Sequence, residues 1–125
     1  MRVDHPNIEV LKRFDPKNPE VLSKDVVFHF FNPMLPDLHG DHVGREGVGA
    51  FFTKLQSITG GQFEPNVVST QTFGDELVVV HRKQAISLDG QKIESDVVVV
   101  WRIVDGEIVE VWDIPSIHKV NIVTE

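Results

Sequence analysis

The residues able to do acid, base or hydrogen-bonding chemistry gather in three places. The C-terminal run Trp112-Asp113-Ile114-Pro115-Ser116-Ile117-His118 sets a carboxylate, a hydroxyl and an imidazole after a tryptophan. Asn32 stands between an aromatic stretch and Pro33, and His39, Asp41 and His42 crowd into HGDH. If strand alternation continues past Ile114, Ser116 and His118 share the side of Trp112 while Asp113 points to the other face, a parity that Pro115 could break. With an unperturbed pKa of about 6.5, His118 suits a general acid/base; the competing reading is a surface histidine in a C-terminal tail. Asn32 suits the orientation of a substrate carbonyl, or simply a turn before Pro33.

The remaining polar candidates point away from metal chemistry. HGDH, with His29 or His81, offers nitrogen and oxygen ligands, but its spacing matches no metal motif on a helix face, so a solvated loop is expected, with Asp41 near the start of the following helix. His29 lies in an aromatic strand and is expected to be a hydrogen-bonded core histidine. His81 and Asp113 fall on one face with Val98 between them, so roughly 10 Å separates their backbones and a direct ion pair would be strained. The chain has no cysteine, which removes disulfides, thiolate nucleophiles and cysteine-based zinc sites together. Neither a metal nor an organic cofactor is expected.

Composition narrows the partners. At 125 residues, with 41% hydrophobic and 25% charged, the chain fits one domain spanning 1–125 with a real core. The formal charge of −7 comes from scattered acids, and no lysine or arginine cluster offers a phosphate-tracking stripe, so nucleic acid is not an expected partner. No apolar run approaches the roughly 20 residues of a membrane span, and MRVDHPNIEV has no signal-peptide apolar region, so no membrane association and a cytoplasmic location are expected.

Local patterns then supply the elements that must position these groups. Asn7 caps a short helix through Phe14, Asp15-Pro16 breaks it, and Asn18-Pro19 opens a turn through Ser23. Val26 to Phe31 reads as a buried strand stopped by Asn32-Pro33 and Pro36. After Gly44, the apolar residues Val48, Phe51, Phe52 and Leu55 recur at helical spacing up to Gly60-Gly61. Strands follow at about 62–73, 76–88, 91–104 and 107–114, with Asp89-Gly90 and Asp105-Gly106 as two-residue hairpin turns.

Those turns fix a register. Counting from Asp89-Gly90 sets Val80 opposite Val99 and Val78 opposite Trp101; counting from Asp105-Gly106 sets Val99 opposite Trp112 and Trp101 opposite Glu110. One face then carries Val78, Val80, Val97, Val99, Trp101, Trp112 and Ile114, and the other is apolar as well. The helices can cover one face, and a second copy of the chain is expected on the other, giving a homodimer through the outer sheet face.

DVVFHF, GDHVGREGVGAFFTKL and LDGQKIESDVVVVWRIVDGEIVEVWDIP together resemble the nuclear transport factor two-like superfamily, and within it the SnoaL-like, ketosteroid-isomerase-related proteins. The resemblance spans nearly the whole chain. It implies an α+β, cystatin-like cone: a curved antiparallel sheet wrapped by two or three N-terminal helices around an apolar cavity. It also argues against steroid isomerisation by the best-known mechanism, because the family's tyrosine, aspartate base and sheet acid fall near Phe14, Asn32 and Val99. SnoaL-like cyclases often place an acid shortly after the last-strand tryptophan, which is the argument for attention to His118.

The expected cavity lining is Phe28, Phe30, Phe52, Val80, Val99, Trp101, Trp112 and Ile114, with the two tryptophans available to stack on a flat ligand. The expected function is binding of a small apolar molecule, with cofactor-independent acid/base chemistry of isomerase, cyclase or epoxide hydrolase type, His118 and Asn32 being its candidate catalytic residues. The alternative is a non-catalytic ligand-binding or structural dimer module.

Overall fold

A short helix is the first element of the computed structural model, which describes residues 5–16, 18–117 and 121–123. Helix α1 (Pro6–Lys12) starts at Pro6, whose fixed φ suits a first helical position. Its cap is His5 rather than Asn7: the His5 ring accepts from the Asn7 backbone N–H at 3.1 Å. The Asn7 side chain instead donates to the Asp75 carbonyl at 2.8 Å, tying the helix to a distant turn. The helix stops before Phe14, and the 3₁₀ turn Pro19–Val21 gives way to strand β1 (Leu22–Phe30), which begins four residues before the expected Val26.

HGDH is not a loop. Strand β2 (Gly40–Val43) pairs antiparallel with β1, setting Asp41 opposite His29 and His42 opposite Phe28. Helix α2 (Gly44–Thr59) follows directly and buries Val48, Phe51, Leu55 and Thr59, with Phe52 partly buried against the same core. Its entry is held by Arg45, whose Nε–H donates to the Leu22 carbonyl at 2.9 Å. At its other end Gly60, at φ 62°, takes the left-handed backbone that glycine adopts without a Cβ clash, and the Gly61 N–H donates to the Gln56 carbonyl at 2.9 Å.

Strands β3 (Phe63–Phe73), β4 (Leu77–Leu88), β5 (Gln91–Val104) and β6 (Glu107–Pro115) form the rest of the main sheet, in the order β2-β1-β6-β5-β4-β3, and β7 (Asn121–Val123) pairs with β5. The architecture is α+β, and the sheet is mixed: β1 runs parallel to β6, with Phe28 opposite Val111 and Phe30 opposite Asp113. Hairpin turns carry no information on that pairing, because the two strands are joined by most of the chain.

Both hairpin turns have positive φ at their central residues, 50° and 78° at Asp89-Gly90 and 51° and 79° at Asp105-Gly106. From the first, the β4–β5 register follows by simple counting: Val78 faces Trp101 and Val80 faces Val99. From the second, counting fails after two pairs. Ile103 lies opposite Ile108, but Arg102 lies opposite Glu110, so Val109 is an extra residue in β6. Such a bulge shifts every later residue by one and so exchanges the two faces of the strand. Val99 therefore faces Asp113, and Trp101 faces Val111. Trp112 and Ile114, expected in the cavity, lie on the outer face instead.

Gly44 has φ 77°, a conformation that costs an L side chain about 1–2 kcal/mol, whereas Gly49 is helical with open space where a Cβ would sit. Gly44→Ala should lower the unfolding free energy by about that amount, and Gly49→Ala should raise it by about 0.5–1 kcal/mol. Urea unfolding curves check both; equal effects would contradict this geometry.

Candidate functional site

The inner face of the sheet is aromatic and aliphatic because alternate residues of each strand point to α2. Phe28 and Phe30 come from β1 and both pack on Phe51 of α2 with ring centroids 4.8 Å apart. Phe14, after α1, reaches Phe52 at 5.9 Å and Trp101 at 5.6 Å. These rings, with Val99, Ile86 and Phe63, enclose a cavity of about 220 Å³. A shallower groove of about 390 Å³ shares Pro16, Phe52, Leu55 and Phe63 with it and is edged by Asp15, Thr53 and Gln56.

Four polar residues interrupt the apolar wall. Arg82 and Gln84 follow Val78 and Val80 at alternate positions of β4, so the pleat brings them to the inner face; Trp101 stands on β5 and Asp113 on β6. Arg82 Nη2 lies 3.3 Å from Asp113 Oδ2. Asp113 is 5% exposed, and burial pushes its carboxyl up to about 6 against the opposing attraction of Arg82. Burial likewise lowers the Arg82 guanidinium from its ordinary value, with Asp113 working the other way. Five buried side-chain polar atoms among the described residues lack a hydrogen-bond partner, and four belong to this wall: Asp113 Oδ1, Gln84 Oε1, Arg82 Nε and Trp101 Nε1.

Of the expected lining residues, Phe28, Phe30, Phe52, Val99 and Trp101 face the cavity, while Val80 is buried in the core beside it. Asn32 is buried in a turn, its Oδ1 accepting from the Met34 N–H at 3.0 Å, and borders a separate small hollow near Leu88 and Ile117. His118 lies outside the described residues. Ser116, expected on the cavity side, is exposed and edges a hollow with Lys83, Glu94 and Asp96. Arg82 and Gln84 were legible in the register from Asp89-Gly90; Asp113 was not, because nothing in EIVEVWD marks Val109 as a bulge.

The outer face holds a different arrangement. His29 lies there rather than in the core, its Nδ1 2.6 Å from Asp41 and its Nε2 2.7 Å from Glu110. Burial opposes the imidazolium, but the two carboxylates outweigh it and raise the His29 pKa. The ring stacks on Trp112 at 5.5 Å, and Arg102 sits 5.2 Å over the same tryptophan. His81 bonds Asp96 at 2.8 Å and lies in register with Val98 and Ile114, whereas Asp113 lies in register with Val99 and lines the cavity, so the two occupy opposite faces. Asp41 and His42 also diverge, since His42 turns inward to the Leu38 carbonyl at 2.7 Å. Among the described residues no group of three or more histidines, cysteines or acids is placed to hold a metal ion, and no helix is long and apolar enough to cross a membrane.

A mixed sheet against one long helix, with an acid from the last long strand beneath it, can be compared with known families. The model of the SnoaL-like domain matches residues 11–111. The chain belongs to that family. No curated protein sequence matches it. Among solved structures, it is similar to a putative SnoaL-like polyketide cyclase from Jannaschia sp. at 18% identity, covering 94% of this chain and 92% of that one with a TM-score of 0.74. An NTF2-like protein of unknown function from Burkholderia pseudomallei is 22% identical over 86% of this chain and 88% of that one, with a TM-score of 0.75. TerC, co-crystallised with polyporic acid, is 24% identical over 89% of this chain and 92% of that one, with a TM-score of 0.74. At these identities the likeness establishes the NTF2-like fold.

The Asp113 carboxyl sets a pH dependence of stability. Its folded pKa of about 6 exceeds the ordinary 3.8, so the folded state binds the proton more tightly. The associated stability is present below about 3.8 and lost as pH rises to about 6, amounting to about 3 kcal/mol at 1.36 kcal/mol per pK unit. Urea unfolding of the wild type between pH 4 and 6.5 should show this fall relative to Asp113→Asn, in which it is absent. Parallel pH profiles for the two proteins would contradict it.

Proposed function

We propose that this protein is a general acid/base catalyst acting on a small ring compound with a carbonyl group, with Asp113 as the base and Arg82 beside it. The observation that supports this most is the buried Asp113 carboxylate on an apolar cavity, 3.3 Å from a guanidinium and with one oxygen unpartnered. A carboxyl titrating near 6 is mostly ionised at neutral pH yet more basic than an ordinary aspartate. It can take a proton from the carbon next to a carbonyl and return it elsewhere. The Arg82 guanidinium is the donor beside the oxygen on which negative charge then develops. Isomerisation and ring closure by carbon–carbon bond formation share this enolisation step. The similarity to a putative polyketide cyclase, and to a protein co-crystallised with polyporic acid, is in keeping with a ring ligand.

The test is hydrogen–deuterium exchange at the α-carbons of 2-indanone in D₂O, followed by proton NMR. Wild type should accelerate exchange over buffer, with a rate that rises with pH and levels off above about 6. Asp113→Asn should lose about 10²–10⁴-fold. Binding of the ketone with no acceleration would leave the non-catalytic ligand-binding module, the reading favoured by the non-acidic Phe14, Asn32 and Val99.

We propose too that the outer sheet face pairs two copies of the chain, in a cytoplasmic setting compatible with the absence of cysteine. Val98 and Ile114 lie opposite each other on β5 and β6 and are 38% and 46% exposed, beside Trp112. Sedimentation equilibrium should give the mass of two chains for wild type and of one for Ile114→Arg. A single-chain mass for wild type would rule the pairing out.

A further inference from the structure

His29 is placed where its protonation decides a strand pairing. It stands on β1 opposite Asp41 of β2, the four-residue strand at one end of the main sheet. Its Nδ1 lies 2.6 Å from an Asp41 oxygen, and its Nε2 lies 2.7 Å from a Glu110 oxygen on β6. An imidazole donates from both nitrogens only as the imidazolium; the neutral ring has one N–H and one lone pair. Loss of the proton therefore breaks one of the two bonds and turns a lone pair towards a carboxylate. Glu110 is also held by Arg102 of β5, whose Nη1 lies 3.5 Å from its other oxygen and whose Nε lies 3.9 Å from Glu76. Asp41 is 58% exposed at the edge of the sheet, so it is the partner that gives way. The other histidines nearby do not face the ring: His42 of β2 turns inward to the Leu38 carbonyl, and His81 pairs with Asp96 on β4, three strands from β1.

We infer that His29 is a pH-operated latch: its imidazolium holds β2 to β1 and β6, and its deprotonation frees β2 to open. Burial opposes the charge, but the bonds to Glu110 and Asp41 outweigh it and raise the His29 pKa from 6.5, which sets the direction of the switch. The strand is fully held below about 6.5 and released as pH rises through the raised value. A four-residue edge strand opens locally, so an interaction worth little to a whole domain is large for it. Release reaches the interior through the inward residue of β2. The His42 ring lies 4.8 Å from Phe51, which packs on Phe28 at 4.8 Å, and both phenylalanines line the cavity. Strand β2 also runs directly into α2, with Val43 at the helix cap. Opening of β2 thus loosens the cavity wall at the entry of α2, whatever the cavity binds or turns over.

The experiment is amide hydrogen exchange of the full chain by NMR between pH 6 and 9, each rate divided by its intrinsic value at that pH, with the His29 ring titrated in the same samples. Wild-type protection within Gly40–Val43 should fall by about fivefold or more, with the midpoint of the ring titration, itself above 6.5. His29→Gln, which carries no titrating charge, should change by less than about twofold, and so should Asp41→Asn, whose amide can bond either form of the ring. Both variants keep His39, His42 and His81, so titration of those groups cannot produce the difference. Wild-type protection that is level with pH, or that falls at a midpoint apart from that of the His29 ring, would overturn the inference. A fall in both variants equal to that of wild type would overturn it too. If His29→Gln does not fold, Asp41→Asn and the ring titration decide the matter by the same criteria.

Discussion

The site depends on one extra residue in β6. Val109 has no partner in β5, and from that point the strand's two faces are exchanged. Without the bulge, Trp112 would face α2 and Asp113 would face outward, leaving Arg82 without a carboxylate beside it on the inner face. With it, Asp113 turns under the helix opposite Val99 and within reach of Arg82, two strands away. Because side chains alternate with a period of two, a one-residue slip in the backbone changes the chemistry of an entire face.

The Asp113–Arg82 pair gains its character from what surrounds it. Phenylalanines from β1 and α2 wall the cavity, so neither charge is well hydrated. Loss of hydration raises the carboxyl despite a guanidinium nearby, so burial dominates the Coulomb attraction at this position. Such a pair is a poor device for stability, since two ions removed from water regain little of the loss from each other. The partial pairing matters more: Asp113 Oδ1 and Arg82 Nε are left without partners. A fully satisfied ion pair would be inert; this one is left incompletely paired beside an enclosed space.

The outer face is organised by the opposite logic. The parallel pair β1–β6 has no hairpin to hold it. Its strands are joined across the face by the His29–Glu110 bond and the His29–Trp112 stack, and Asp41 extends the link to β2. Here the carboxylates outweigh burial and favour the imidazolium, because the group is only partly removed from water and has two charged partners. The same bulge serves this arrangement, since it places Glu110 and Trp112 together on the outside.

Residues close in sequence carried most of the fold. The helical spacing of Val48, Phe51, Phe52 and Leu55 and the left-handed Gly60 defined α2, and Asp89-Gly90 fixed the β4–β5 register, so Arg82 and Gln84 were legible as inner-face residues. The family resemblance carried by these segments gave the α+β class. The sequence by itself thus determined what local backbone preferences and side-chain periodicity dictate: the elements, the turns and the aromatic inner face. Tertiary structure alone decided the pairing of β1 with β6, the conversion of HGDH from a loop into strand β2, and the inward turn of Asp113. Those outcomes depend on partners far apart in the chain and on a bulge whose residue, a valine, looks like any other in a strand. Local propensity cannot distinguish the two parities of EVWD; only packing against Val99, Arg82 and helix α2 selects one.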